Sequence, residues 1–203
     1  MAANPASLDP GFAGKRQVRR LLRERLAALS QEQRHAQSLA IAERVVALPE
    51  WQSARCVMLY LSLPDEVETS ALFAKAFQEG KSVAVPKITD TSERRMTPVA
   101  IRSLAEEELE HAHFGVRVPT AELEAVPISR IDLVLVPGLG FSRRGERIGR
   151  GMGYYDTFLA SPELRAPACG VGFAEQLLDD LPSHERDRPM NLLVTPHEVL
   201  RFP

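Results

Sequence analysis

Residues Ile131–Asp156 read IDLVLVPGLGFSRRGERIGRGMGYYD and carry half of the chain's 12 glycines. The run opens on Ile131 to Val136, apolar apart from Asp132. A short apolar run bounded by turn signals suits a strand covered on both faces, as in a parallel sheet. Glycines at 138, 140, 145, 149, 151 and 153 follow, interleaved with Arg143, Arg144, Arg147 and Arg150. Glycine lets backbone N–H groups approach a ligand closely, and successive N–H groups in such turns form concave anion sites. Arginine adds forked donors that match phosphate oxygens. Tyr154, Tyr155 and Asp156 open a helix expected to reach Ala160. The stretch therefore reads as a polyanion-binding loop at the carboxyl end of a strand, with a solvated turn as the plainer alternative. Its spacing is neither G-x-G-x-x-G nor a P-loop.

Working outward, the same kind of strand recurs. Arg55 to Ser62 contains CVMLYL, and a helix from Ser70 to Gln78 follows, with Thr69 as its N-cap and Gly80 as its stop. Lys81 to Ile88 is the next strand, so the segment is a βαβ unit with parallel pairing. Met96 to Ile101 is a short strand, Ala105 to Glu110 a solvated acidic helix, and Phe114 to Pro119 an edge strand. Ala168 to Phe173 and Leu192 to Val194 complete the sheet. Asp65 and Glu66 lie at the carboxyl end of the first strand, where α/β proteins place their sites. A helix-capping role is the alternative for both.

The amino-terminal part is helical. Val18, Leu21, Leu22, Leu26 and Leu29 form one apolar stripe over Lys15–Leu29. At roughly 100° per residue, Lys15 and Arg19 sit at the margin of that stripe, while Arg16, Arg20 and Arg23 point outward. Ser30 and Gln33 form a capping box that starts a second helix, closed by Pro49. Residues 1–13 read as a disordered lead-in without a signal peptide's basic and apolar regions. The expected fold is thus a single α/β domain over 14–203: a mostly parallel sheet, helices on both faces, and an N-terminal helical pair.

Composition narrows the function. The chain has 203 residues, 44% hydrophobic and 26% charged, with a net charge of −2. That is ordinary for a soluble domain and offers no general field for nucleic acid. No run approaches the roughly 18 apolar residues of a membrane span. Cys56 and Cys169 lie in apolar runs and form no CxxC pair, so buried free thiols are expected, not a zinc site. Small anionic ligands are the resulting expectation, in a cytoplasmic protein; a monomer is expected, without any sequence feature that fixes the oligomeric state. The catalytic inventory lacks a G-x-S-x-G elbow and a histidine beside a serine or cysteine. Basic side chains and a few carboxylates remain, which suits phosphoryl transfer. Asp156 and Asp187 are candidate Mg²⁺ partners, since magnesium takes one or two carboxylates plus phosphate oxygens and waters.

The run Val136-Pro-Gly-Leu-Gly-Phe141, followed by Gly145-x-Arg147-Ile-Gly149-Arg-Gly151-x-Gly153-Tyr-Tyr-Asp156, resembles the signature of the 5-formyltetrahydrofolate cyclo-ligase (5,10-methenyltetrahydrofolate synthetase) family. Lys15 and Arg19 on the first helix, Asp65-Glu66-x-x-Thr69, and Asp187 with Thr195-Pro196 extend the likeness along the chain. The resemblance implies ATP- and Mg²⁺-dependent closure of 5-formyltetrahydrofolate to 5,10-methenyltetrahydrofolate, with release of ADP and phosphate. It implies ATP binding by Lys15, Arg16, Arg19, Arg147, Gly149, Arg150, Gly151, Met152, Gly153, Tyr154 and Tyr155. Folate would meet Leu61, Glu66 and the loop from Arg150 through Gly151, Met152 and Gly153 to Tyr154. Arg150, Lys15 and Tyr154 would serve catalysis, and Asp156 and Asp187 would hold Mg²⁺. Three positions depart from the family pattern: Met152 where Lys or Gly is frequent, Ser142 for Asp, and Asn191 for an acid. The competing readings are a non-catalytic folate or nucleotide binder, and a sugar-phosphate isomerase on a similar sheet.

Overall fold

The computed structural model describes residues 10–104, 109–111, 117–119 and 123–203. The chain enters through α1 (Pro10–Ala27), α2 (Gln31–Val46) and α3 (Pro49–Ser53). Helix α1 begins at Pro10, so the last residues of the expected lead-in are helical; proline suits a first helical position because its missing N–H would have no partner there. Residues 1–9 of that lead-in lie outside the described residues. The Ser30–Gln33 capping box is formed, with Gln33 N donating to Ser30 Oγ at 3.1 Å and Ser30 N to Gln33 Oε1 at 2.8 Å.

Strand β1 (Cys56–Met58), α4 (Ser70–Gln78) and β2 (Ser82–Asp90) make the expected parallel unit. β1 is shorter than Arg55–Ser62. Leu59 N still donates to Ala84 O, but Tyr60 O is taken by Thr69 Oγ1 at 2.7 Å and the Tyr60 hydroxyl donates to Val67 O. The chain leaves the sheet because side chains satisfy its polar groups there. Thr69 thus occupies the N-cap position without capping, its hydroxyl turned to the strand end.

β3 (Arg95–Ile101) returns antiparallel to β2. β4 (Leu109–His111) and β5 (Arg117–Pro119) form a separate two-stranded ribbon. Leu109 and Glu110 are therefore strand where a solvated helix was expected, and Leu109 is buried; residues 105–108 and 114–116 lie outside the described residues. Next come β6 (Leu133–Val136), β7 (Gly140–Ser142), β8 (Arg147–Ile148), α5 (Tyr154–Leu159), β9 (Ala168–Val171), β10 (Leu177–Leu178), β11 (Leu192–Val194) and β12 (Val199–Arg201).

Among the described residues, seven strands form one sheet in the order β12-β11-β9-β6-β1-β2-β3. Its five central strands are parallel and both edge strands antiparallel. Period-2 alternation divides each apolar strand between two cores. Val57, Leu133, Leu135 and Val171 face Leu22, Ile41, Trp51 and Phe73 of the helices α1 to α4. Met58, Val134, Val136 and Leu193 face Phe158 of α5 and Phe141. The expectation of one mostly parallel α/β sheet with helices on both faces holds. β7, β8 and β10 form a further small sheet, so the first half of the glycine–arginine stretch is a hairpin and not a loop.

Candidate active site

β1 is flanked by β2 on one side and β6 on the other. The chain runs from β1 to β2 and later returns to the opposite side of β1, which leaves a crevice at the carboxyl ends of β1 and β6. Open α/β sheets bind ligands at such switch points. Here the crevice widens into a cleft of about 1310 Å³. Tyr60, Leu61, Leu63 and Glu66 reach it from the end of β1, Pro137 and Gly138 from β6, and Lys15 and Arg19 from α1. The loop 149–153 and the start of α5 form one wall. The turn around Asp187 closes one end, and Lys87, Ile88 and Arg94 of the β2–β3 hairpin close another.

The glycine loop has a backbone that few other residues tolerate. Gly151 has φ 106° and Gly153 φ 77°, a region where a Cβ clashes with the main chain. The four arginines of this stretch part company. Arg143 and Arg144 turn outward to Glu198 and Asp180, whereas Arg147 and Arg150 enter the cleft. Arg147 is buried; its Nη2 donates to Asp156 Oδ1 at 2.9 Å, its Nη1 to Pro137 O at 3.2 Å, and its guanidinium lies 5.7 Å from the centre of the Tyr155 ring. Arg150 bridges two acids of the loop that follows β1, donating from Nη2 to Asp65 Oδ1 at 2.6 Å and from Nε to Glu66 Oε1 at 3.2 Å. Arg19 Nε donates to Gly149 O at 2.9 Å, which ties α1 to the loop. Lys15 is buried and pairs with Asp187, whose Oδ2 also accepts from His184 N at 2.7 Å.

The exposed Arg150–Asp65 pair contributes about 0–1 kcal/mol, and in the more buried Lys15–Asp187 and Arg147–Asp156 pairs desolvation offsets much of the attraction. Their effect here is to fix positions more than to stabilise. Burial raises the Glu66 carboxyl above its ordinary value, against the pull of the Leu63 N–H and Arg150. Burial, and then Glu66, keep the Tyr155 phenol protonated far beyond its usual range. Its hydroxyl is buried with no hydrogen-bond partner among the described residues.

Every residue proposed for the site lines this cleft except Arg16, which is exposed on the outer face of α1. Met152 lines it with 60% of its surface exposed. Sequence reasoning missed Lys87, Arg94, Met96, His184 and Arg188. Lys87 was the most accessible of them, a cation inside an otherwise apolar strand; the others sit in turns or edges whose direction depends on the tertiary fold. The departures at 142 and 191 prove structural. Ser142 Oγ accepts from Arg144 N and Glu146 N at 3.1 Å each, so the hydroxyl holds the β7–β8 turn. Asn191 Oδ1 accepts from Ala168 N at 2.9 Å and anchors β9.

The model of the 5-formyltetrahydrofolate cyclo-ligase family matches residues 12–196. The chain belongs to that family. The 5-formyltetrahydrofolate cyclo-ligase of Mus musculus is 34% identical over 183 residues, covering 86% of this chain and 90% of its own. The one from Escherichia coli K12 is 28% identical over 181 residues, covering 88% and 98%. Among solved structures, 5,10-methenyltetrahydrofolate synthetase of Aquifex aeolicus matches with a TM-score of 0.78 at 31% identity, over 92% of each chain. The Mycoplasma pneumoniae synthetase, with TM-score 0.70 and 21% identity, shares the fold. This cyclo-ligase family member is thus an enzyme of folate one-carbon metabolism, and the names meet on conversion of 5-formyltetrahydrofolate to 5,10-methenyltetrahydrofolate. One relative, from Arabidopsis thaliana, is named mitochondrial. Among the described residues no helix is long and apolar enough to cross a membrane.

The cleft suits magnesium by its donor set. Asp156 and Asp187 each engage protein donors through one oxygen, Oδ1 and Oδ2 respectively. The second oxygen of each carboxylate has no protein hydrogen bond among the described residues. Among those residues no three His, Cys, Asp or Glu side chains gather as a closed metal cage; magnesium beside phosphates does not require one.

Proposed function

We propose that this cyclo-ligase family member consumes Mg·ATP, converting 5-formyltetrahydrofolate and ATP into 5,10-methenyltetrahydrofolate, ADP and phosphate. The observation that carries the reading is the Arg150 bridge. It fastens the glycine loop to Glu66 and Asp65, so that a cation-lined wall and an apolar end with Leu61, Ile88 and Met96 share one cleft. A phosphate donor and a ring-bearing acceptor meet in such a space.

An N-formyl group is an amide, and its oxygen leaves poorly. The formyl oxygen attacks the γ-phosphorus, the bond to ADP breaks, and the oxygen becomes a phosphate ester on a carbon doubly bonded to N5. N10 attacks that carbon, the carbon–oxygen bond breaks, and phosphate departs with the former formyl oxygen. N10 loses its proton, which leaves the methenyl cation. Both nucleophiles belong to the substrate, so the protein supplies orientation and charge.

In this reading Lys15, Arg19, Arg147 and Arg150 neutralise phosphate oxygens, and the N–H groups of Gly149–Gly153 cradle them. Lys15 and Arg150 act on the transferred phosphoryl group. Tyr154 packs against the reacting ring, with Leu61, Glu66 and Met152 along the folate; Tyr155 stiffens Arg147 from beneath. Asp156 and Asp187 would hold Mg²⁺, which when bound offsets negative charge on the phosphates. Arg16 is left out of the set because it faces away from the cleft. Substrate labelled with ¹⁸O in the formyl group tests the mechanism: the label is expected in the released phosphate, and its recovery in water would overturn the phosphorylation step.

A further inference from the structure

Arg94 is the sole non-glycine residue among the described residues with a positive φ, 54°. Such a conformation costs roughly 1 kcal/mol or more for a residue with a Cβ, and glycine or asparagine is the usual occupant. The turn that contains it is tightly built. Asp90 Oδ1 accepts from Ser92 Oγ at 2.6 Å and from Glu93 N at 2.8 Å. Arg95, the next residue, pairs with Glu93. Arg94 does not follow it. Its side chain crosses to the glycine loop, where a Cβ on Gly153 would come within 3.3 Å of both its Cδ and its Nη1.

The cations that border the glycine loop differ in how they are committed. Arg19 is bonded to Gly149 O, Arg147 to Asp156, Arg150 to Asp65 and Glu66, and Lys15 to Asp187. The Arg94 guanidinium lines the same cleft, and no hydrogen bond or ion pair engages it among the described residues. It is a forked donor held against the loop with its donors unspent. Arg19 brackets the loop from the other side, 3.6 Å from where a Gly151 Cβ would stand.

We propose that Arg94 is a further ligand-contacting residue of this enzyme: the β2–β3 hairpin delivers its guanidinium to the glycine loop, where it grips an oxyanion of the nucleotide's phosphate chain. The inference rests on the ATP-dependent reading above. A carboxylate of the folate substrate offers the same acceptor chemistry, and separate kinetics for the two substrates distinguish them.

The test is Arg94→Gly in the full chain, because glycine accepts φ 54° and removes only the side chain. Arg94→Lys keeps the charge without the fork. A lost charge-assisted hydrogen bond corresponds to on the order of tenfold in binding. The KM for Mg·ATP is therefore expected to rise about tenfold in Arg94→Gly and less in Arg94→Lys. The KM for 5-formyltetrahydrofolate should stay unchanged, with a thermal midpoint no lower than wild type. Unchanged ATP kinetics, or a rise confined to the folate KM, would overturn the proposal. Wild-type protein that forms no methenyl product with ATP would instead overturn the underlying reaction, so the two failures are separable.

Discussion

Glu66 is the carboxylate on which the two ends of the cleft meet. Oε1 accepts from Arg150 Nε and Oε2 from Leu63 N at 3.1 Å, and only 11% of its side chain is exposed. Burial outweighs these bonds and raises its pKa. The sign of the consequence follows from proton counting. Between the unfolded carboxyl value and the raised folded one, the folded state binds more protons, so stability falls as pH rises through that window. The cost is fully present above the folded value. Glu66→Gln removes this titration and keeps one acceptor oxygen, enough for Leu63 N or Arg150 but not both; the lost bond is a pH-independent offset, so the pH dependence carries the test. Urea unfolding of both proteins, followed upward in pH from the ordinary carboxyl value, should show the variant gaining on wild type as pH rises; a difference moving the other way contradicts the assignment. At this scale the sequence was readable where helical spacing applies. Lys15 and Arg19 lie at the margin of the apolar stripe of α1 and do enter the cleft, whereas Arg16, one residue along, faces solvent. Arg94 was not readable, because nothing in Ser92-Glu93-Arg94-Arg95 signals which arginine turns inward.

At the scale of elements, apolar runs located the strands and misjudged their ends. The run CVMLYL gives no sign that pairing stops after Leu59, since the competitor for Tyr60 O is the Thr69 hydroxyl from the far side of a loop. The hairpin β7–β8 inside the glycine–arginine stretch was invisible for a related reason. Its strands are two or three residues long, too short for alternation to register. Gly170 is where packing between elements can be tested. A Cβ there would stand 2.6 Å from Phe141 Cε1 and 3.2 Å from Met190 Cγ, because β9 passes directly over the Phe141 ring. Phe141 is 1% exposed and has little room to move. Gly170→Ala should therefore destabilise the protein by about 1–3 kcal/mol, the usual cost of overpacking. Chemical denaturation would detect this as a lower midpoint at an unchanged slope; an unchanged midpoint would mean that the ring relocates freely.

For the whole molecule, the sheet order places a cleft between β1 and β6, and residues far apart in sequence converge there: Lys15 and Arg19, Glu66, the 147–156 stretch and Asp187. Fold class and most of the residues that line the candidate cleft were legible, because parallel strands announce themselves as apolar runs and the glycine–arginine stretch follows one of them. What the sequence could not supply is how each cation is committed. Arg147 to Asp156, Arg150 to Asp65 and Glu66, and Lys15 to Asp187 are pairings made only by the fold. The central claim is that this arrangement couples ATP to closure of the folate ring. Its most direct test is the absorbance of the methenyl product in a mixture of purified protein, 5-formyltetrahydrofolate and ATP, with magnesium or with a chelator. Product is expected with magnesium, in equal amount to the ADP released, and should fall to background with the chelator. Folded protein that forms no methenyl product with Mg·ATP, or forms it equally without ATP, would contradict the account.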